Sequence, residues 1–346
     1  MKLHPLELSR AQILAFRRTV NCLDARLPAG PKSLRRAAWA GLTDSMPRAA
    51  LLSIHARVAG TKPSTWEDPS LVQLWGPRYS AYVVAAVDRA VFTLGRLPAE
   101  GARRRVMDET AAWLAAFLGD RRMTYGEAGH ALGAPPNSLR YAAPTGTVLM
   151  RWDGARQPTI WTVPAPDVDP AEARLELARR HLHVFGPTTP SAFASWAGIK
   201  PTAAQAAFDA LTASLVAVRT PVGDAWILAS DEAAVGKPER PGADARLLPS
   251  GDTYYLLQGA DRSLLVPEAD RRAALWTSRV WPGAVLLRGE LVGTWRRADT
   301  VLTIEPWRRL SESERRLVEA EAEALPLPGG ASGIRVRWSA DGPFRG

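Results

Sequence analysis

An order of periodicities that recurs three times does most to limit the fold: segments with helical spacing, then two β-rich runs around a turn. In the first round LELSRAQILAFRRTVNCL (6–23), KSLRRAAWAGL (32–42) and PRAALLSIHARV (47–58) read as helices. LVQLWGPRYSAYVVAAV (71–87) follows with a period nearer two, and Gly76-Pro77 splits it into two short strands. The second round runs through ARRRVMDETAAWLAAFL (102–118), TYGEAGHAL (124–132) and PPNSLRYAA (135–143). It ends in a β-rich stretch, 145–164, that turns at Asp153-Gly154. Thr124, with Glu127 three residues on, forms a capping box. The third round places DPAEARLELARRHLHVFG (169–186), TPSAFASWAG (189–198) and PTAAQAAFDAL (201–211) before a hairpin at 215–229, turning at Gly223-Asp224.

A helix, a tight turn, a second helix and a hairpin is the order of a winged-helix module. The chain is therefore expected to be α+β, built of tandem winged-helix (helix-turn-helix plus β-hairpin) modules at 1–98, 99–166 and 167–232. A polar, Pro- and Gly-rich linker at 230–246 leads into a β-rich C-terminal region, 233–346. There VLLRGELVGTWRRADTVLTIEPW reads as strand, Gly-Glu turn, strand, basic loop and strand, and SESERRLVEAEAEAL (311–325) as an acidic helix. Modules this small bury little core alone, so they should pack in tandem.

Charge narrows the partners. Lys and Arg exceed Asp and Glu by nine, and such a field attracts polyanions, nucleic acid above all. Only five of the cations are Lys, which a GC-rich genome explains; the excess over acids it does not explain. No apolar run reaches the roughly 18 residues of a membrane span. MKLHPLELSRAQ has no apolar core resembling a secretory signal, so a cytoplasmic protein, associated with the nucleoid through DNA, is expected. A single cysteine, Cys22, leaves neither an intrachain disulfide framework nor a cysteine zinc site. His181 and His183 sit two apart on a helix and face different directions, so no metal is expected. Neither a Gly-rich phosphate loop nor a nucleophile–His–acid signature is present.

Five separated segments carry more than periodicity: PRAALLSIHARV after a polar triplet, LVQLWGPRYSAYVV, TPSAFASWAG, LLPSGDTYYLLQGADRS and VLLRGELVGTWRR. In this order they resemble the bacterial winged-helix DNA glycosylases of the AlkZ and YcaQ type, over roughly residues 8–325. The resemblance implies a C-shaped monomer whose basic concave face grips double-stranded DNA, without a cofactor. It implies cleavage of the N-glycosidic bond of bulky or alkylated purines, including cross-links made by genotoxic natural products. The family's catalytic motif is Gln-x-Gln, or Gln-x-Asp in the YcaQ branch, just ahead of a Pro-Arg-Ala-Ala segment. The matching positions here are Thr43 and Ser45, with Asp44 where relatives usually carry an apolar residue.

Because the departure falls on the catalytic positions, two readings stand side by side. One is a monofunctional DNA N-glycosylase using Thr43, Asp44 and Ser45; the other is a DNA- or lesion-binding relative that lost turnover with its glutamines. A dimerising transcription regulator is the more distant alternative, since no dimerisation helix is evident. Cleavage needs a water placed at C1′ and stabilisation of an oxocarbenium-like sugar. Hydroxyls can orient water, and Asp44 alone has the charge. In extended backbone Thr43 and Ser45 share a face and Asp44 points away; in a turn all three can converge. Equally, Asp44 or Ser45 can cap the helix that follows, with Pro47 in its first turn.

Candidate DNA contacts lie beside this triplet and near the C-terminus. Arg48 follows it directly. Arg78 and Ser80 match an Arg-Gly-Thr-Leu-His stretch of relatives, with Tyr79 for the Gly and Tyr82 for the His. Arg78 suits a phosphate or an ion pair. Gly293–Arg297 looks like a basic hairpin tip, where Trp295 is either a wedge between bases or a core residue, and Arg296 and Arg297 meet phosphates. Asp252 and the pair Asp261-Arg262 also match family positions, as an internal salt bridge or a catalytic carboxylate.

Overall fold

In a computed structural model the protein is described over residues 6–46, 48–154, 157–237, 242–327 and 333–339. The first round contains β1 (Leu6–Glu7), α1 (Arg10–Val20), α2 (Pro31–Ala37), β2 (Leu42–Thr43), α3 (Ala49–Arg57), β3 (Leu71–Trp75), β4 (Ala81–Ala85) and α4 (Arg89–Thr93). The second has α5 (Ala102–Leu118), β5 (Met123–Thr124), α6 (Tyr125–Ala131), α7 (Pro136–Leu139), β6 (Val148–Arg151) and β7 (Thr159–Thr162). The third has α8 (Pro170–Phe185), α9 (Pro190–Ala197), α10 (Pro201–Ala210), β8 (Leu215–Thr220), β9 (Gly223–Leu228) and α11 (Glu232–Val235). The C-terminal region adds β10 (Ala245–Leu248), α12 (Asp261–Leu265), α13 (Ala269–Leu275), β11 (Gly283–Leu287), β12 (Glu290–Ala298), β13 (Val301–Pro306), α14 (Glu312–Glu323) and β14 (Arg335–Trp338).

Each round thus delivers helices and then a hairpin, and each hairpin gains a short third strand. The sheets run β2-β4-β3, β5-β7-β6 and β1-β8-β9, while the C-terminal sheet is β10-β11-β12-β13-β14. Local signals set several ends: Thr124 and Ser311 accept from the Glu127 and Glu314 N–H in capping boxes, and Asp169 caps α8. The third hairpin turns at Pro221-Val222, earlier than Gly223-Asp224, because Thr220 pairs with Gly223 across a two-residue loop.

One pairing joins the start of the chain to the third round. β1 pairs in parallel with β8, and Ile13, Phe16 and Val20 of α1 pack with Val218 and Ile227. The start of the chain therefore completes the third round's sheet and not the first. Arg17 fastens the same join: though buried, its guanidinium donates to the carbonyls of Phe185, Gly186 and Pro187 and pairs with Asp261. A single core then passes through Leu14, Leu74, Tyr82, Leu177, Trp196, Tyr255 and Leu286, so the first round, the third round and the C-terminal region share one apolar interior. Tandem packing follows, since none of these small sheets covers its own apolar face.

Candidate active site

The triplet is built by two residues of strand and a helix start. Thr43 pairs with Tyr82 of β4, and the ladder continues as the Asp44 N–H donates to the Ala81 carbonyl at 2.8 Å. Extended backbone sends the two side chains to opposite sides. Thr43 Oγ1 donates to the Gly251 carbonyl at 2.8 Å, stitching β2 to the C-terminal region. Gly251 has φ +72°, and a Cβ there would lie 2.9 Å from Thr43 Oγ1, so glycine is required on both counts. On the other side Asp44 Oδ1 accepts from the Ala50 N–H (3.0 Å) and Oδ2 from Gln73 Nε2 (2.7 Å). Gln73 Oε1 in turn accepts from the Trp152 N–H at 2.5 Å, linking the first hairpin to the second. The N-cap position of α3 is Arg48, and Asp44, four residues before it, accepts the otherwise free Ala50 N–H of the first turn in place of a cap side chain. Pro47, expected in the first turn, lies outside the described residues.

Of the two arrangements open to the triplet, Thr43 and Asp44 take the extended, alternating one and do not converge. Thr43 and Asp44 are 7% and 1% exposed, and the hydroxyl and carboxylate are already engaged. Only Ser45 of the triplet is at the surface, with Met46 beside it, 38% exposed. Burial pushes the Asp44 carboxyl up to about 6, against the pull of the Ala50 N–H, the Arg48 charge and the Gln73 amide. At pH 7 it is mostly ionised, a buried negative charge one residue along the chain from the exposed Ser45. Arg48, in left-handed backbone (φ 65°), stacks on Trp66 at 3.5 Å; Arg151 stacks on the same ring at 3.4 Å and pairs with Glu67.

The antiparallel register ends at Asp44 and Ala81, so Ser45 and Ser80 both follow directly on the end of the ladder, Ser80 closing the 77–80 turn. Arg78 and Tyr79 both have positive φ there, 54° and 59°, which turns the Arg78 side chain out to solvent; Ser80 is half-buried. Tyr82 corrects an expected DNA contact. It is 1% exposed, and its ring occupies the space a Cβ on Gly41 or Gly76 would need, so it is a core residue whose hydroxyl burial pushes up to about 12. Trp295 is a second correction: it is buried, its indole N–H donates to the Leu248 carbonyl at 2.9 Å, and Gly283 makes room for the ring. It cannot act as a wedge from there. Arg296 and Arg297 are exposed, on β12 just before a turn at Asp299-Thr300.

Asp252 is an internal salt bridge. Arg57 reaches it with two bonds of 2.7 Å, Ser53 Oγ donates at 2.6 Å, and Arg57 and Asp252 are both within 1% of complete burial. Asp261 serves Arg17 in the same way, at 3.3 Å. His181 is enclosed by Phe185, Phe193 and Trp196, and His183 bonds Asp231. Among the described residues no three His, Cys, Asp or Glu side chains gather as a metal site would require. The residues missed from sequence are Gln73 and Met46. Gln73 had a signal: a lone amide in the apolar strand LVQLW has to find partners inside.

Comparison with known proteins agrees with this architecture. The solved Streptomyces sahachiroi DNA glycosylase AlkZ superposes with a TM-score of 0.76 over 96% of this chain and 100% of that one, at 19% identity. The interstrand DNA cross-link repair glycosylase of Streptomyces sahachiroi is 29% identical over 176 residues, 49% of this chain and 46% of that protein, so the match spans about half the relative's length. The family model described as DNA glycosylase AlkZ-like matches residues 36–326, which includes the triplet, all three hairpins and most of the C-terminal sheet. The chain belongs to the AlkZ-like DNA glycosylase family.

Proposed function

We propose that the protein is a monofunctional DNA N-glycosylase that hydrolyses the N-glycosidic bond of alkylated purines, bulky and cross-linked ones included, in DNA repair or genotoxin resistance. Family membership supports the reaction class, and similarity to an interstrand cross-link repair glycosylase supports the lesion class. The helix-plus-hairpin rounds, taken as winged helices in a C-shaped monomer, grip duplex DNA through Arg48, Arg78, Ser80, Arg296 and Arg297, at the nucleoid in the cytoplasm. The observation that carries the mechanism is a buried carboxylate, Asp44, next in the chain to one exposed hydroxyl, Ser45, at the family's motif position.

In this reading Ser45 Oγ orients a water toward C1′. The C1′–N bond breaks with its electrons going to the purine, which leaves neutral if alkylation had made it cationic. The sugar gains positive charge, and Asp44, ionised and poorly screened by solvent, stabilises it through the field without touching it. Water then bonds C1′ and releases its proton to solvent. Met46 presses its apolar side chain on the bases in the position Trp295 cannot take. Alkylated duplex incubated with the protein and heated in alkali should break at abasic sites. Ser45→Ala should slow this about tenfold, the worth of one hydrogen bond. No breaks across methylated and cross-linked substrates would refute the reading.

One observation favours the second reading, a DNA- or lesion-binding relative without turnover: Thr43 and Asp44 are closed in and hydrogen-bonded. The gain-of-function test is Ser45→Gln alone, because Thr43 is buried with its hydroxyl bonded to the Gly251 carbonyl, where a longer side chain has no open space. Strand breaks that appear only in Ser45→Gln would establish that second reading.

A further inference from the structure

A pocket of about 380 Å³ opens near the 77–80 turn, between residues 96–103 and the α9–α10 turn. Two helices begin at it: α5, seventeen residues long, and α10, ten residues long. Neither has a side-chain cap or an acid in its first turn, so both leave N–H groups and positive dipole ends facing the space. Arg96, Arg103, Arg174 and Lys200 line it, against one exposed carboxylate, Glu100. Arg96 is 6% exposed; it donates to the Trp75 carbonyl at 3.2 Å and lies over the Tyr79 ring, while its Nε–H has no hydrogen-bond partner among the described residues. Burial, with the Arg103 cation nearby, lowers its pKa to about 10. Three guanidinium groups, an ammonium and two helix starts are therefore held together against one carboxylate. The α9–α10 turn also abuts the wing: a Cβ on Gly198 would lie 3.2 Å from the Arg78 nitrogen.

We propose that this pocket is an anion site that takes a phosphodiester of the DNA strand lying across the 77–80 turn, fixing the neighbouring nucleotide over Ser45. The inference rests on the reading of the protein as a DNA-acting enzyme. Uncapped helix starts and paired cations are the chemistry that recognises a phosphate. The test is anisotropy of a labelled undamaged duplex with the full chain at rising salt. The exposed residues allow clean variants: Arg103→Ala and Lys200→Ala should each flatten the slope of log affinity against log salt by about 0.9, while Arg316→Ala on α14 leaves it unchanged. Unchanged slopes in both pocket variants, with a wild type that binds, would overturn this inference and leave the glycosylase reading standing. A wild type without duplex affinity would overturn both. Inorganic phosphate that raises the wild-type melting temperature but not that of the double variant, with slopes unchanged, would make this a free-phosphate site and equally overturn the assignment to DNA.

Discussion

Asp44 and Asp252 lie equally deep, 1% and 0% exposed, on either side of the join between the first round and the C-terminal region. Their surroundings differ in kind. Asp252 has a guanidinium in bidentate contact, a serine hydroxyl and the Tyr254 N–H, so its charge is matched where it stands. Asp44 has only neutral N–H donors in direct contact, the Ala50 backbone and the Gln73 amide; the Arg48 and Arg151 charges act on it without bonding it. The first arrangement spends its charge on holding two parts of the chain together. The second leaves a carboxylate whose negative charge is still available to something that arrives, one residue from an exposed hydroxyl.

Four substitutions sharpen that contrast, in falling order of effect on stability. Arg57→Ala strands the Asp252 charge and should cost about 3–5 kcal/mol in urea unfolding; a cost below about 1 kcal/mol would mean the pair is not sealed. Asp44→Asn should change the pH dependence of stability. The folded-state pKa of Asp44 is raised, so its contribution is complete below about pH 4 and is lost as pH rises through about 6, on the order of 3 kcal/mol. The Asn variant should lack that fall, and a wild-type melting temperature that rises between pH 4 and 6 for reasons traced to Asp44 would contradict it. Gln73→Leu removes the donor to Asp44 and the acceptor for the Trp152 N–H, costing about 1–3 kcal/mol and moving the Asp44 midpoint higher still. Ser45→Ala, exposed and unbonded to its neighbours' cores, should leave stability within about 0.5 kcal/mol and be visible only in turnover.

The secondary elements were largely legible because their signals are local. The capping boxes at Thr124 and Ser311 and the break at Gly76-Pro77 each depend on residues a few positions apart. What could not be read were pairings set by distant chain. Leu6–Glu7 becomes a strand only because β8 lies beside it, and Thr43 faces inward only because Gly251 waits there. The site shows the same limit. Alternation along β2 put Thr43 and Asp44 on opposite sides, as extended backbone requires, yet which side is solvent depends on residues 249–257 folding over one and the second hairpin closing the other. Trp295 and Tyr82 failed as DNA contacts for a related reason: glycines far off in sequence, at 283, 41 and 76, make room for their rings in the core.

The most direct test of the central claim is the pH profile of single-turnover purine release from an alkylated duplex, by wild type and Asp44→Asn. If the ionised carboxylate of Asp44 stabilises the sugar cation, the wild-type rate rises with pH through about 6 and levels off, while the Asn variant is about a hundredfold slower and flat over that range. A wild type that releases purine with the same profile as the variant, or releases none, would contradict the account.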